Sequence, residues 1–173
     1  LRRLLNLLAE RCSCPALQGL VVRDDLPPKD VYLPKPLSIQ DDHLLDRYLR
    51  AQDDLVTNAL LLLRATGIRI GECRNLTADC LYPVGPGQWT LKIPLGKLHT
   101  ERWLPVDDDT RAIIARLLAL RPVLRSAKNS GFLLLGANGS RLRYETMRKT
   151  LAYAALQAGC STHVTPHRLR HSY

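Results

Sequence analysis

Apolar residues recur along this chain at three- and four-residue intervals in separate stretches, the spacing that gathers side chains on one face of a helix. Leu1 to Arg11 follows that spacing. Asp24 to Pro36 then interrupts it with Pro27, Pro28, Pro34 and Pro36, which lack backbone donors and read as a linker. The helical pattern resumes with Ile39, Leu44, Leu45, Tyr48 and Leu49, and Ser38 stands where it can cap the helix, three residues before Asp41. A compact domain is expected to begin there. Leu55 to Thr66 reads as a strongly apolar helix and Gly67 as its left-handed stop. Ile68 to Leu76 reads as the next helical segment, with Arg69 at the junction.

Beyond Tyr82 the pattern changes. Pro83, Gly85, Pro86 and Gly87 form a turn cluster, and Trp89 to Ile93 and Arg102 to Val106 read as two short strands joined through Gly96 and Lys97. A helix is expected from about Thr110 to Arg121, with Ile113, Ile114, Leu117, Leu118 and Leu120 on its buried stripe. Phe132 to Leu135 is expected to be a third strand. Tyr144 to Ala158 returns to helical spacing and Gly159 can end it, after which Thr165-Pro166 suits the start of a last helix carrying His167 and Arg170. The fold class expected is mainly α with a small antiparallel β-sheet.

Composition narrows the partners. Twenty-five Lys and Arg against sixteen Asp and Glu leave a formal charge of +9 on 173 residues, which favours a polyanion, nucleic acid before membrane surface. Apolar runs such as Ala59 to Leu63 are far shorter than the roughly 20 residues that span a bilayer, so no membrane partner is expected. The Leu1 to Ala9 stretch carries Arg2 and Arg3 and no small-residue cleavage site, so it reads as helix and not as a secretory signal. The five cysteines, Cys12, Cys14, Cys73, Cys80 and Cys160, are odd in number and scattered, which suits reduced thiols in a cytoplasmic protein.

Three separated pieces carry the candidate chemistry. These are Thr66-Gly67-Ile68-Arg69-Ile70-Gly71-Glu72, then Gly96-Lys97 between the two strands, then His167-Arg168-Leu169-Arg170-His171. Two arginines and a lysine suit a phosphoryl centre. A guanidinium donates two parallel bonds and stays charged at any working pH, and a lysine on a hairpin can offer a mobile cation and a proton. His167 and Arg170, three residues apart, share one helix face. Taken singly, each has a plainer reading: Arg69 as a surface ion pair, Lys97 as a solvated turn residue, and His171 as a structural histidine.

In order and context the three pieces resemble the tyrosine recombinase, or phage integrase, family over roughly Ser38 to Tyr173. The resemblance implies that Arg69, Lys97, His167 and Arg170 are catalytic around one DNA phosphate, with Glu72 and His171 in support. It implies strand cleavage and rejoining through a 3′-phosphotyrosyl intermediate, in DNA recombination, integration or transposition, with no metal and no other cofactor. Leu1 to Leu37 would be the end of a preceding core-binding region and linker, and 38–173 the catalytic domain. Duplex DNA and other recombinase protomers are the expected partners, as a tetramer on DNA, with a monomer or weak dimer off it. A bacterial or phage-encoded, nucleoid-associated protein is expected.

The family pattern continues past H-x-L-R-H to a nucleophilic tyrosine. None of the chain's tyrosines stands at that position, so the domain is expected to be incomplete at its C-terminus and unable to cleave alone. Tyr144 and Tyr153 read as packing residues with polar tips. Arg141, Arg143, Arg148 and Lys149 are DNA-backbone candidates, against the plainer reading of a solvated helix face. Three rivals remain. The first is a non-catalytic integrase remnant that only binds DNA or a partner, and the second a helix-turn-helix regulator. The third is a zinc hydrolase built on His163, His167 and His171, which the absence of an H-E-x-x-H arrangement disfavours.

Overall fold

The computed structural model describes residues 2–21, 35–94, 101–122, 131–136 and 138–172. The chain divides into two compact units, Leu1–Leu33 and Pro34–Tyr173. The first holds helix α1 (Arg2–Arg11) and a single 3₁₀ turn over Pro15–Leu17. Cys14 N–H closes onto the Ala9 carbonyl at 3.1 Å, which ends α1.

In the second unit, α2 (Ile39–Ala51) starts where its cap was expected, the Ser38 hydroxyl accepting from Asp41 N–H at 3.0 Å. α3 (Leu55–Thr66) is apolar on every side, and Ala59, Leu60, Leu61, Leu62 and Leu63 are all buried. A helix of that kind must lie at the centre of a core, and α3 packs against α2, α5 (Asp108–Ala119), α6 (Tyr144–Gln157) and α7 (Pro166–Arg170). Each fully buried leucine stabilises the fold by about 2 kcal/mol over its exposed state. Gly67 closes α3 in the left-handed conformation at φ 59°, which a side chain with a Cβ resists.

The antiparallel sheet runs in the order β1 (Leu81–Gly85), β2 (Gln88–Ile93), β3 (Arg102–Val106). Leu91 opposes Leu81 on one side and Leu104 on the other, and with Ile93 it carries the sheet's inner face into the core. The third strand corrects the sequence reading. Residues placed in a turn form β1, because Pro83 lies on an edge strand, where a missing N–H costs no ladder bond, and the pairing shifts between Pro83 and Gly85. Phe132 to Leu135 forms only isolated bridges, Thr77 with Phe132 and Leu135 with Arg141, although Leu133 and Leu134 are fully buried. Its apolar run reports burial, not membership of the sheet.

The short helix α4 (Ile70–Arg74) is tighter than Ile68 to Leu76 suggested, and α5 begins two residues before Thr110 because the Asp107 carboxylate accepts from Thr110 N–H at 2.8 Å. Asp41 fixes the loop ahead of α7. Its carboxylate accepts from Ser161 N–H and from the Thr162 hydroxyl, each at 2.8 Å, and these bonds hold it below the usual carboxylate pKa. No described helix is long and apolar enough to cross a membrane.

Candidate active site

Gly67 determines where the first arginine points. By ending α3 in a left-handed turn it lets Ile68 bury completely and sets Arg69 at the cap of α4. Glu72, one turn on, accepts from Arg69 N–H at 2.8 Å and from Arg69 Nη1 at 2.9 Å, so one carboxylate both caps the helix and orients the guanidinium. Its other neighbour comes from the sheet: Arg102 Nη2 donates to Glu72 Oε2 at 2.8 Å. Burial pushes the Glu72 carboxyl up, but the Arg69 amide, its guanidinium and the Arg102 charge outweigh it and leave the group below its ordinary value.

The second arginine reaches the same turn from the far end of the chain. Arg170, at the end of α7, donates through Nε to the Gly67 carbonyl at 2.6 Å. Neither of its Nη nitrogens has a partner among the described residues, which leaves the outer edge of the fork available to an anion. His167 lies on the same helix, its Nε2 3.1 Å from Nε2 of His171, with the rings at 89°. A hydrogen bond at that distance takes one ring nitrogen as donor and the other as acceptor, the tautomers setting which is which. Loss of solvent contact, then the His167 and Arg170 charges, pull the His171 pKa below 6.5.

Arg69, His167 and Arg170 thus meet along one cleft of about 350 Å³, completed by Ile70, Tyr144 and Pro166. Lys97 lies outside the described residues. Its hairpin is rooted beside the site, since Ile93 pairs with Arg102, which binds Glu72. Lys92 is turned to other use, 3.4 Å from Glu101 and over the Trp103 ring. Among the described residues no group of three His, Cys, Asp or Glu side chains could hold a metal ion, so His163 does not join His167 and His171 in a ligand set.

The four DNA-backbone candidates divide. Arg141 and Arg143 line a second cavity of about 330 Å³ with Ser140 and Thr146. Arg141 is partly committed there, to Asn75 at 2.6 Å and to the Phe132 ring. Arg148 pairs with Glu145 at 3.0 Å and lines a third cavity with Tyr144, while Lys149 is exposed on α6. Sequence reasoning gave no site role to three residues: Tyr144, read as a packing residue but placed in the cleft wall, Arg102 on Glu72, and Arg168. Arg168 donates to the carbonyls of Lys35, Pro36 and His163 at 3.2, 3.2 and 2.9 Å, and so ties the segment before α2 to α7. Only Tyr144 had a local signal, as a polar-tipped aromatic between Arg143 and the helix it opens.

A helical domain with a three-stranded sheet and two arginines and a histidine on one cleft defines a class, and solved structures share its fold. The XerH site-specific recombinase bound to palindromic difH substrate superposes with a TM-score of 0.69 at 16% identity, over 99% of this chain and 58% of that one. A lambda integrase tetramer bound to a Holliday junction gives 0.67 at 12% identity, over 99% of this chain and 49% of that one. The phage integrase family matches residues 42–173, and the chain belongs to that family. Among its relatives, tyrosine recombinase XerC of Alcanivorax borkumensis is 32% identical over 145 residues, 82% of this chain and 46% of that protein. XerC of Neisseria gonorrhoeae is 30% identical over 184 residues, 100% of this chain and 57% of its own length. The chain therefore spans about half the length of the curated relatives it matches.

Proposed function

We propose that residues 38–173 are the DNA-binding catalytic domain of a site-specific tyrosine recombinase, and that Leu1 to Leu37 closes a preceding core-binding region. The observation that carries the reading is the cleft where Arg69, His167 and Arg170 meet. During transesterification, phosphorus becomes five-coordinate and its non-bridging oxygens gain charge, which fixed cations must stabilise. Arg69 and Arg170 clamp those oxygens. His167 donates a hydrogen bond and assists proton transfer, with His171 behind it and Glu72 holding Arg69. Lys97 protonates the departing 5′ oxygen as a tyrosine oxygen bonds to phosphorus. Arg141, Arg143, Arg148 and Lys149 extend the contact along the DNA backbone. The partners are duplex DNA and further protomers; the lambda integrase neighbour, a tetramer on a Holliday junction, supports that assembly.

Anisotropy of a labelled duplex at low salt tests the clamp. Arg69→Gln or Arg170→Gln is expected to weaken binding about tenfold, or 1.4 kcal/mol, and Arg111→Gln on α5 much less. Equal, small losses at all three positions would remove the phosphate reading. In our reading no tyrosine of residues 1–173 is the nucleophile, so a nicked suicide duplex should yield no covalent adduct with this chain alone. An adduct mapped to Tyr144, the tyrosine in the cleft wall, would overturn that assignment.

A further inference from the structure

Glu72 raises a question of charge. It is only 7% exposed, and its Oε1 accepts from the Arg69 guanidinium at 2.9 Å while Oε2 accepts from Arg69 N–H at 2.8 Å, so on its own it would cancel the charge that Arg69 offers the cleft. Arg102 donates to the same Oε2 at 2.8 Å, and among the described residues Arg69 and Arg102 are the cations paired with the carboxylate. The trio carries two positive charges and one negative. We propose that Arg102 is a positioning residue that neutralises Glu72, so that Arg69 keeps a net positive charge for a DNA phosphate while remaining oriented by the carboxylate. Arg102 itself does not line the cleft. It acts through Glu72, and because it pairs with Ile93 at the root of the β2–β3 hairpin, it also ties that hairpin to the Arg69 turn.

This inference rests on Arg69 being a phosphate ligand and makes a demand that a purely structural ion pair does not. Removing the Arg102 charge leaves Arg69 and Glu72 summing to zero. Removing the Glu72 charge as well returns the trio to one positive charge, so a second loss of native bonds should repair the first. Titration of a labelled random-sequence duplex of about 30 base pairs, followed by anisotropy at low salt, reads this out on the whole chain. Arg102→Gln is expected to weaken binding about tenfold, close to Arg69→Gln. Arg102→Lys, which keeps the charge, should stay within about threefold of the unmodified chain, and the Glu72→Gln/Arg102→Gln pair should recover most of the loss. Arg111→Gln, which removes one charge on α5 that pairs with Asp108 and lies over the Trp89 ring, sets the size of a generic effect.

If Arg69→Gln weakens binding while Arg102→Gln matches Arg111→Gln, or the double variant binds no better than Arg102→Gln, the charge-balancing role is wrong and the phosphate reading stands. If Arg69→Gln itself matches Arg111→Gln, the phosphate reading fails first. Should Arg102→Gln not fold, comparing Arg102→Lys with the double variant decides the matter. Both binding near the unmodified level supports the proposal, and a double variant as weak as Arg69→Gln overturns it.

Discussion

The two ends of the cleft hold their arginines by different means. At the α4 end, Arg69 is oriented by a buried carboxylate that it shares with Arg102. At the α7 end, Arg170 is oriented by a backbone carbonyl, that of Gly67, and its neighbour His167 by a second imidazole. A carboxylate gives strong, charge-assisted orientation and subtracts from the charge it orients. A carbonyl gives weaker orientation and subtracts nothing. The α4 end therefore depends on electrostatic balance, and the α7 end on the path of the backbone through residues 66 to 68.

Removing the carboxylate should produce the largest effect. Glu72→Ala strips the α4 cap and leaves two guanidiniums facing each other without an anion. The partners are roughly half exposed, so the cost falls below that of a fully buried pair, at about 2 kcal/mol of stability. Glu72→Gln keeps the shape and one acceptor and should cost about half as much. Urea melts of the two variants measure this. Equal stability of Glu72→Ala and the unmodified chain would show that the carboxylate does not hold that end together.

The α7 end contains its own internal control. Arg168 and Arg170 stand two residues apart, and Arg168 gives its donors to the carbonyls of Lys35, Pro36 and His163. Arg168→Ala is expected to lower stability by about 1–2 kcal/mol, with a loss of DNA affinity no greater than that of Arg111→Gln. Arg170→Ala should cost about 1 kcal/mol of stability through the single Gly67 bond, yet weaken DNA binding about tenfold. The opposite ranking in anisotropy would exchange the roles given to these two arginines.

That contrast also shows what could be read from the chain before its structure. Arg69, Glu72, His167 and Arg170 stood out because they lie in short local patterns, T-G-x-R-x-x-E and H-x-L-R-H, whose order along the chain resembles that of the tyrosine recombinase family. The helices were legible from local pattern as well, since Ser38, Gly67 and Gly159 mark their ends where expected. Arg102 and Arg168 were not legible. The Arg102 partner lies 30 residues away and two of the three Arg168 partners lie 132 and 133 residues away, and no spacing rule encodes such contacts. β1 was hidden by Pro83, whose usual meaning is reversed on a sheet edge, and Phe132 to Leu135 looked like a strand because burial and pairing leave the same apolar run.

Acid separates the two ends by window, and here the expected effect is smallest. His171 has a folded-state pKa below its ordinary 6.5, so the unfolded chain binds the extra proton more readily. Its contribution is complete above 6.5 and is lost as pH falls through the folded value. Glu72 is likewise held below its ordinary 4.5, so the α4 end keeps its full contribution at pH 5 and loses it only as pH falls below 4.5 through the depressed value. Thermal melts from pH 8 to pH 3 should show a shallow decline beginning near 6.5 and a steeper one below 4.5. His171→Gln should flatten only the first, and Glu72→Gln should lessen only the second, to which the depressed carboxylates of Asp41, Asp107 and Asp109 also contribute. A variant that flattened both limbs would mean that the two ends titrate as one network through Gly67 and Arg170, and the division between them would have to be abandoned.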